Sequence, residues 1–122
     1  MTTPTASTLL KANLERVFNE RDPARRRHAI EELYAVDAEL YEQQAKHSGT
    51  KAIEAAVTHL LESLPPTLAF VLAGPVMQNH EMGKLLWRGQ LPDGATIVTG
   101  TDVVEIHAGR IRRVHVFVDA AK

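Results

Sequence analysis

The sequence of 122 residues contains no cysteine, which excludes disulfide bridges and thiolate chemistry within it. It also lacks long apolar runs, because none approaches the ~20 residues that a transmembrane helix requires. The first residues, MTTPTAS, do not show the basic segment followed by an apolar one that marks a signal peptide. We therefore expect a cytoplasmic protein that has no membrane partner.

An excess of charge of one sign is also missing. Lys and Arg number 14 against 15 Asp and Glu, so the net charge is -1 at pH 7. A chain without a basic excess lacks the electrostatic footprint of a nucleic-acid-binding protein. There is no glycine-rich phosphate loop between a strand and a helix, and no nucleophile elbow. We expect no nucleic-acid partner, no cofactor and no serine hydrolase chemistry.

The six histidines are scattered along the chain. None forms the close helical pair that is typical of a zinc site. We therefore predict that the protein holds no metal ion.

What the chain does have is the composition of one ordinary globular domain. Hydrophobic residues make up 44% and charged residues 24% of the sequence, which is close to the average for such domains. The length is enough for one hydrophobic core and too short for two. We expect a single domain that spans residues 1–122.

Periodic apolar residues predict three helices in the first half of the chain. The predicted helices begin after a cap at Ser7 or Thr8, at Asp22-Pro23, and after a cap at Thr50. The third runs to about Ser63 and carries the clearest apolar stripe in the sequence.

Alternating residues predict strands, mainly after residue 67. The predicted strands are 38–43, 68–72, 76–80, 84–91 and a pair that flanks the turn His107-Ala108-Gly109, with 46–49 as a loop. Helices followed by a run of strands predict an α+β fold, in which three N-terminal helices pack on one face of a curved, mixed or antiparallel sheet.

Asp102 interrupts the apolar face of a predicted strand. Residues at alternate positions of a strand share a face, and this face carries Val98, Gly100, Asp102, Val104 and Ile106. Burial removes water from a carboxylate and raises its pKa. The pattern indicates an acid held neutral near pH 7, and the alternative is a structural carboxylate hydrogen-bonded to the backbone or to an arginine.

The turn at Asp93-Gly94 fixes the register of the hairpin that contains Asp102. Centring the hairpin there pairs Trp87 with Gly100 and Leu85 with Asp102. Directly paired residues share a face, so Leu85 and Trp87 are expected beside the carboxyl group.

With this pattern the chain resembles the SnoaL-like branch of the nuclear transport factor 2-like superfamily, which includes ketosteroid isomerases and small polyketide cyclases. The residues that carry the resemblance are ELYAVDAELYE at 32–42, HSGTKAI at 47–53 and DGATIVTGTDVVEIHAGRIRRVHVFVD at 93–119. The resemblance implies a cone of three helices and a strongly bent sheet around an apolar pocket, often in a dimer. For this chain we expect a homodimer that forms through the outer sheet face.

The resemblance also implies roles for individual residues. In ketosteroid isomerases a carboxylate on the first strand shuttles a proton, while a tyrosine and a neutral aspartic acid hold the oxyanion. Here the shuttle falls on Glu42, the neutral acid on Asp102, and the tyrosine position on Leu14. The implied substrate-binding residues are Trp87, Leu14, Phe18, Tyr34, Leu85, Val114, Val116 and Val118. His47 and His80 are further acid–base candidates.

Together these features predict an isomerase, cyclase or dehydratase that moves a proton on a small, apolar carbonyl or polyketide-like molecule. Glu42 would act as the base and Asp102 as the hydrogen-bond donor. Two alternatives stay open on the same fold. One is a carrier or sensor of a small ligand, favoured by Leu14 in place of the tyrosine, and the other is a dimeric interaction module.

Overall fold

A computed structural model describes residues 5–119, so residues 1–4 and 120–122 of the predicted domain lie outside the described part of the chain. Its helices are α1 (Ala6–Asn13), α2 (Pro23–Leu33) and α3 (Thr50–Glu62), and a π-helical turn, Leu14–Phe18, continues α1. Its strands are β1 (Tyr34–Glu42), β2 (Ala45–Ser48), β3 (Ala69–Leu72), β4 (Met77–Asn79), β5 (Met82–Gln90), β6 (Thr96–His107) and β7 (Arg110–Val118). The predicted α+β class is confirmed.

Helix starts follow local hydrogen-bonding chemistry. The Asp22 side chain accepts from the backbone N–H of Arg25 at 2.9 Å and Pro23 opens α2, as predicted. The predicted cap of α1 is wrong, because Thr5 rather than Ser7 or Thr8 accepts from a free N–H of the first turn. The predicted cap of the third helix is also wrong, because α3 begins at Thr50 itself and Gly49, at φ 87°, precedes it.

The seven strands form one mixed sheet in the order β2-β1-β7-β6-β5-β3, with β4 also paired to β5. The pair of β1 and β7 is parallel, whereas the other pairs are antiparallel. The sheet is therefore mixed, the first of the two predicted options. Its parallel pair brings the end of β1 beside the centre of β7, where Tyr41 pairs with His115.

The register of the β5–β6 hairpin agrees with the prediction. Trp87 pairs with Gly100 and Leu85 with Asp102. The turn contains Gly94 at φ 90°, a conformation that favours glycine. This register puts Asp102 on the buried face of β6, together with Val104 and Ile106.

The predicted loop at 46–49 is wrong. Ala45–Ser48 forms the edge strand β2, in which His47 pairs with Leu40 and Ala45 with Glu42 of β1. The strand has no alternating apolar pattern, because three of its four residues are exposed and it forms a ladder on one side only. The hairpin of β1 and β2 therefore carries His47 to the face that holds Leu40 and Glu42.

The hydrophobic core lies between the helices and the inner face of the sheet. Fully buried apolar side chains come from both layers: Leu10, Val17, Ile30, Ile53 and Val57 from the helical segments, and Leu40, Leu85, Val104, Ile111 and Val114 from the strands. Across residues 5–119, no helix has the length and apolar character needed to cross a bilayer.

Candidate functional site

An apolar cavity of about 260 Å³ lies beside this core. Its walls come from the π-helical turn, α3 and most strands of the sheet. Most of the lining side chains are apolar, and the polar ones come from β1, the residue that follows it, and β6. The lining residues are Leu14, Phe18, Glu42, Gln43, Leu60, Leu64, Phe70, Trp87, Val98, Asp102, Val116 and Val118.

Asp102 is the buried carboxyl group of this cavity. Its side chain and backbone together are only 5% exposed. The indole Nε1 of Trp87 donates to Asp102 Oδ1 at 2.9 Å. Within residues 5–119 neither a cation nor a backbone N–H hydrogen-bonds to this carboxyl group, so the structural alternative of an arginine or backbone partner does not describe it.

Burial raises the pKa of Asp102 from its ordinary value to about 7, although the hydrogen bond from Trp87 works in the opposite direction. A substantial fraction of Asp102 is therefore protonated near neutral pH. In that form the carboxyl group is a hydrogen-bond donor, which an ionised carboxylate cannot be.

Strand register and aromatic packing fix the indole against Asp102. Gly100 pairs with Trp87, and an added Cβ there would overlap the indole ring. The rings of Phe70 and Trp87 meet edge to face at 5.4 Å, and those of Phe18 and Phe70 at 6.2 Å. This aromatic wall keeps the Trp87 N–H pointed at the carboxyl group.

Glu42 lines the same cavity from the last position of β1. Its side chain is 42% exposed, so it reaches both the cavity and solvent. Glu42 Oε2 lies 3.0 Å from Nε2 of His47 on β2. A carboxylate only accepts hydrogen bonds, and His47 Nε2 is therefore the donor when Glu42 is ionised.

The structure brings most of the predicted site residues to one cavity. Besides the two carboxyl groups, these are Trp87, Leu14, Phe18, Val116 and Val118. The predicted acid–base candidate His80 lies elsewhere, in an exposed turn after β4 with φ 55°.

Three predicted substrate-binding residues do not line the cavity. Leu85 and Val114 are completely covered by core side chains and have no free surface toward a ligand. Tyr34 is also buried, and its hydroxyl donates to Asn13 Oδ1 at 2.6 Å. Burial and the nearby negative charge of Asp102 raise the pKa of Tyr34, which keeps this hydroxyl protonated. Knowing which strand face points inward therefore does not distinguish the residues that line the cavity from those packed in the solid core.

Five further residues line the cavity without having been predicted: Gln43, Leu60, Leu64, Phe70 and Val98. For some of these residues the sequence contains a signal that they face inward. Val98 lies on the same strand face as Asp102. Leu60 lies on the apolar stripe of α3, and Leu64 continues this apolar spacing just beyond the end of the helix. Gln43 follows β1 directly, and nothing in the pattern distinguishes it from a surface residue.

No group of three or more His, Asp or Glu side chains is arranged to hold a metal ion in the part of the chain that the structure describes. The arrangement of Glu42, Asp102 and Trp87 instead offers proton transfer and hydrogen bonding by side chains alone. The expected absence of a cofactor stays a prediction.

Comparison with known proteins gives structural neighbours. No protein-family model and no curated protein matches the sequence. A proposed isomerase of the SnoaL-like family from Agrobacterium tumefaciens is 31% identical, with 93% of this chain and 96% of that one covered and a TM-score of 0.85. A proposed polyketide cyclase from Sinorhizobium meliloti is 20% identical, with 88% and 92% covered and a TM-score of 0.65. A proposed ketosteroid isomerase from Kribbella flavida is 15% identical, with 95% and 78% covered and a TM-score of 0.72.

Proposed function

This chain belongs to the SnoaL-like family of the nuclear transport factor 2-like superfamily, and we propose that it is a proton-transfer enzyme acting on a compact, largely apolar carbonyl compound. The observation that carries the proposal is that Glu42 and Asp102 line one apolar cavity. The names of the neighbours, an isomerase and a polyketide cyclase, support the same class of reaction. In this view the cavity is the substrate pocket of a cone formed by the helices and a curved sheet.

The two carboxyl groups take different roles because their surroundings differ. The Glu42 carboxylate removes a proton from the carbon next to the substrate carbonyl. The electron pair of that C–H bond forms a carbon–carbon double bond, and the π pair of the carbonyl moves onto its oxygen. Asp102, in its neutral form, donates a hydrogen bond to the oxygen as negative charge develops. Glu42 then returns the proton to another carbon of the conjugated intermediate, which gives an isomer of the substrate.

Trp87 fixes the orientation of the acid. Its N–H occupies Asp102 Oδ1, so the acidic proton is best placed on Oδ2, where it is available to a substrate. The apolar walls exclude water, which strengthens a hydrogen bond to a developing charge. A cavity of about 260 Å³ supports a substrate of one or two rings rather than a long chain.

A direct test uses a cyclohexenone whose double bond is β,γ to the carbonyl, because isomerisation moves the double bond into conjugation and produces ultraviolet absorbance. We expect the wild type to accelerate this reaction. Glu42→Gln should lower kcat by about 10²- to 10⁴-fold, the range for positioned acid–base groups. Asp102→Asn, which keeps an acceptor for Trp87 but lacks the acidic proton, should also lower kcat.

Glu54→Gln is the matched control, since Glu54 is a carboxylate of α3 that does not line the cavity. It should leave kcat unchanged. No acceleration by the wild type, or full activity of Glu42→Gln, would contradict the proposal.

A second candidate function is binding and release of a small apolar ligand without reaction. Leu14 favours it, because this side chain lines the cavity and offers no hydrogen-bond donor where the related isomerases have a tyrosine. The protein has one tryptophan, and it lines the cavity. A ligand that shifts Trp87 fluorescence and is recovered chemically intact after long incubation would support the carrier function over catalysis.

A further inference from the structure

His47 reaches the proposed base from a different strand. The pairing of β1 with β2 places His47 opposite Leu40, two residues before Glu42. The tight connection at 43–44 then lets the imidazole Nε2 approach Glu42 Oε2 to 3.0 Å. The other carboxyl oxygen, Oε1, accepts no hydrogen bond from any residue in 5–119.

Glu42 lies at the border of two concave surfaces. One is the apolar cavity that also contains Asp102. The other is a shallow depression that Glu42 and Leu60 share with His47, His59 and Ser63. The carboxylate therefore lies between the proposed substrate pocket and solvent, and His47 contacts it from the solvent side.

A base in this position is more effective if a further contact holds its side chain in one conformation. A glutamate side chain has several rotatable bonds, and one that is 42% exposed has room to turn away into water. Proton abstraction requires the base oxygen to lie within hydrogen-bond reach of the substrate proton. Small losses of alignment can therefore reduce the rate by large factors.

We propose that His47 is a positioning residue for Glu42. Its Nε2–H donates to Oε2, which holds the carboxylate plane at the cavity mouth and leaves Oε1 for the substrate proton. The inference rests on the proposed function, because a positioned base is useful only where a proton is moved.

The other charged groups near this pair do not take the place of His47. His59 of α3 lines the same depression without a hydrogen bond to Glu42. Lys46 and Glu39 form their own ion pair at 2.8 Å. They occupy positions of β2 and β1 that alternate with His47 and Glu42, and so lie on the opposite face of the hairpin.

Three variants test the proposal with the cyclohexenone isomerisation. His47→Ala removes the donor, and we expect kcat to fall about tenfold with little change in KM, since one hydrogen bond to a charged group is worth at least that factor. His47→Gln places an amide N–H near the position of Nε2 and should restore kcat to within about threefold of the wild type. His59→Ala, the control from the same depression, should leave kcat unchanged.

Crystal structures of the wild type and His47→Ala provide a readout that does not depend on activity. We expect one conformation of the Glu42 side chain in the wild type and several in the variant. A single, unchanged conformation in His47→Ala would overturn the proposal, as would wild-type kcat in that variant. If the wild type does not isomerise the ketone, the proposed function fails, and the crystal structures alone then decide whether His47 positions Glu42.

Discussion

At the scale of single residues, the central feature is a carboxyl group that the fold buries without a cation. Asp102 receives one hydrogen bond, from the Trp87 indole, and is otherwise surrounded by apolar walls. One neutral donor does not replace the hydration that an ionised carboxylate loses on burial. The uncharged form is therefore favoured, which raises its pKa to about 7. Glu42, half exposed and bonded to His47, has a different environment.

The raised pKa of Asp102 predicts a pH dependence of stability. The unfolded chain has the ordinary pKa of 3.8, and the folded protein has about 7. Between these values the folded state binds more protons, so the free energy of unfolding should fall as the pH rises through this range. Asp102→Asn cannot ionise, and between about pH 4 and 8 its stability relative to the wild type should increase by ~2–4 kcal/mol.

Urea unfolding at several pH values measures the free energy of unfolding of each protein. Subtracting the value of one protein from that of the other removes the contribution of groups that titrate alike in both. Asp93→Asn provides a comparison, because Asp93 is an exposed aspartate in the turn before β6. A pH-independent difference between the wild type and Asp102→Asn would show that Asp102 is not held neutral by the fold.

At the scale of elements, the β5–β6 hairpin assembles the acid end of the site. Its register puts Trp87 opposite Gly100 and leaves the indole over a residue without a side chain. A Cβ at Gly100 would overlap the indole and lie 2.5 Å from the Phe117 carbonyl oxygen. The glycine therefore allows both the close approach of β7 and the hydrogen bond from Trp87 to Asp102.

This packing predicts the effect of Gly100→Ala. The added methyl group should displace the indole, weaken its hydrogen bond to Asp102 and lower the free energy of unfolding by ~1–3 kcal/mol, as overpacked core sites do. Chemical denaturation followed by Trp87 fluorescence measures the free energy of unfolding, and the emission of the folded protein reports the changed surroundings of the indole. Gly74→Ala is the control, since a Cβ at Gly74 meets no atom within 4 Å. Equal stability of the two variants would contradict the close packing at Gly100.

Local signals explain which elements were predictable. The Asp93-Gly94 turn specified the β5–β6 register, and Asp22-Pro23 specified the start of α2, because the deciding interactions lie within a few residues. The sequence does not reveal strand β2, since its polar residues do not alternate and its ladder depends on β1. The parallel pair of β1 and β7 joins segments far apart in sequence, with no turn between them to reveal it.

The same distinction holds for the site. Asp102 was recognisable because a carboxylate on an apolar strand face is unusual. Tyr34, Leu85 and Val114 are also inward-facing, and only three-dimensional packing separates them from the residues that border the cavity. The contact of His47 with Glu42 depends on β2, so it could not be predicted without that strand.

At the scale of the whole molecule, the family fold positions one face of the sheet toward the cavity and leaves the other outside. The outer face of β5, β6 and β7 exposes apolar side chains, including Leu86, Ile97 and Phe117. Leu86 on β5 and Phe117 on β7 lie on either side of Thr101, because both pair with it. We propose that two copies of the chain associate through it.

Light scattering tests this association. We predict a mass twice that of the chain for the wild type and a single-chain mass for Phe117→Lys, because a buried, unpaired charge is costly at an interface. Val36→Lys should keep the mass of the wild type, since Val36 is 83% exposed and belongs to β1 rather than to this face. A monomeric wild type, or a dimeric Phe117→Lys, would argue against an interface through these strands.

The measurement that tests the proposed chemistry most directly is hydrogen exchange at the carbon next to a carbonyl. Cyclohexanone in heavy water exchanges these hydrogens when a base removes them and the enolate oxygen is stabilised, with no further reaction required. Mass spectrometry should show rapid deuterium uptake with the wild type. With Glu42→Gln the rate of uptake should be lower by about 10²-fold or by a larger factor. Uptake at the same rate with both proteins, or none above buffer with the wild type, would contradict proton transfer by Glu42 in the cavity that it shares with Asp102.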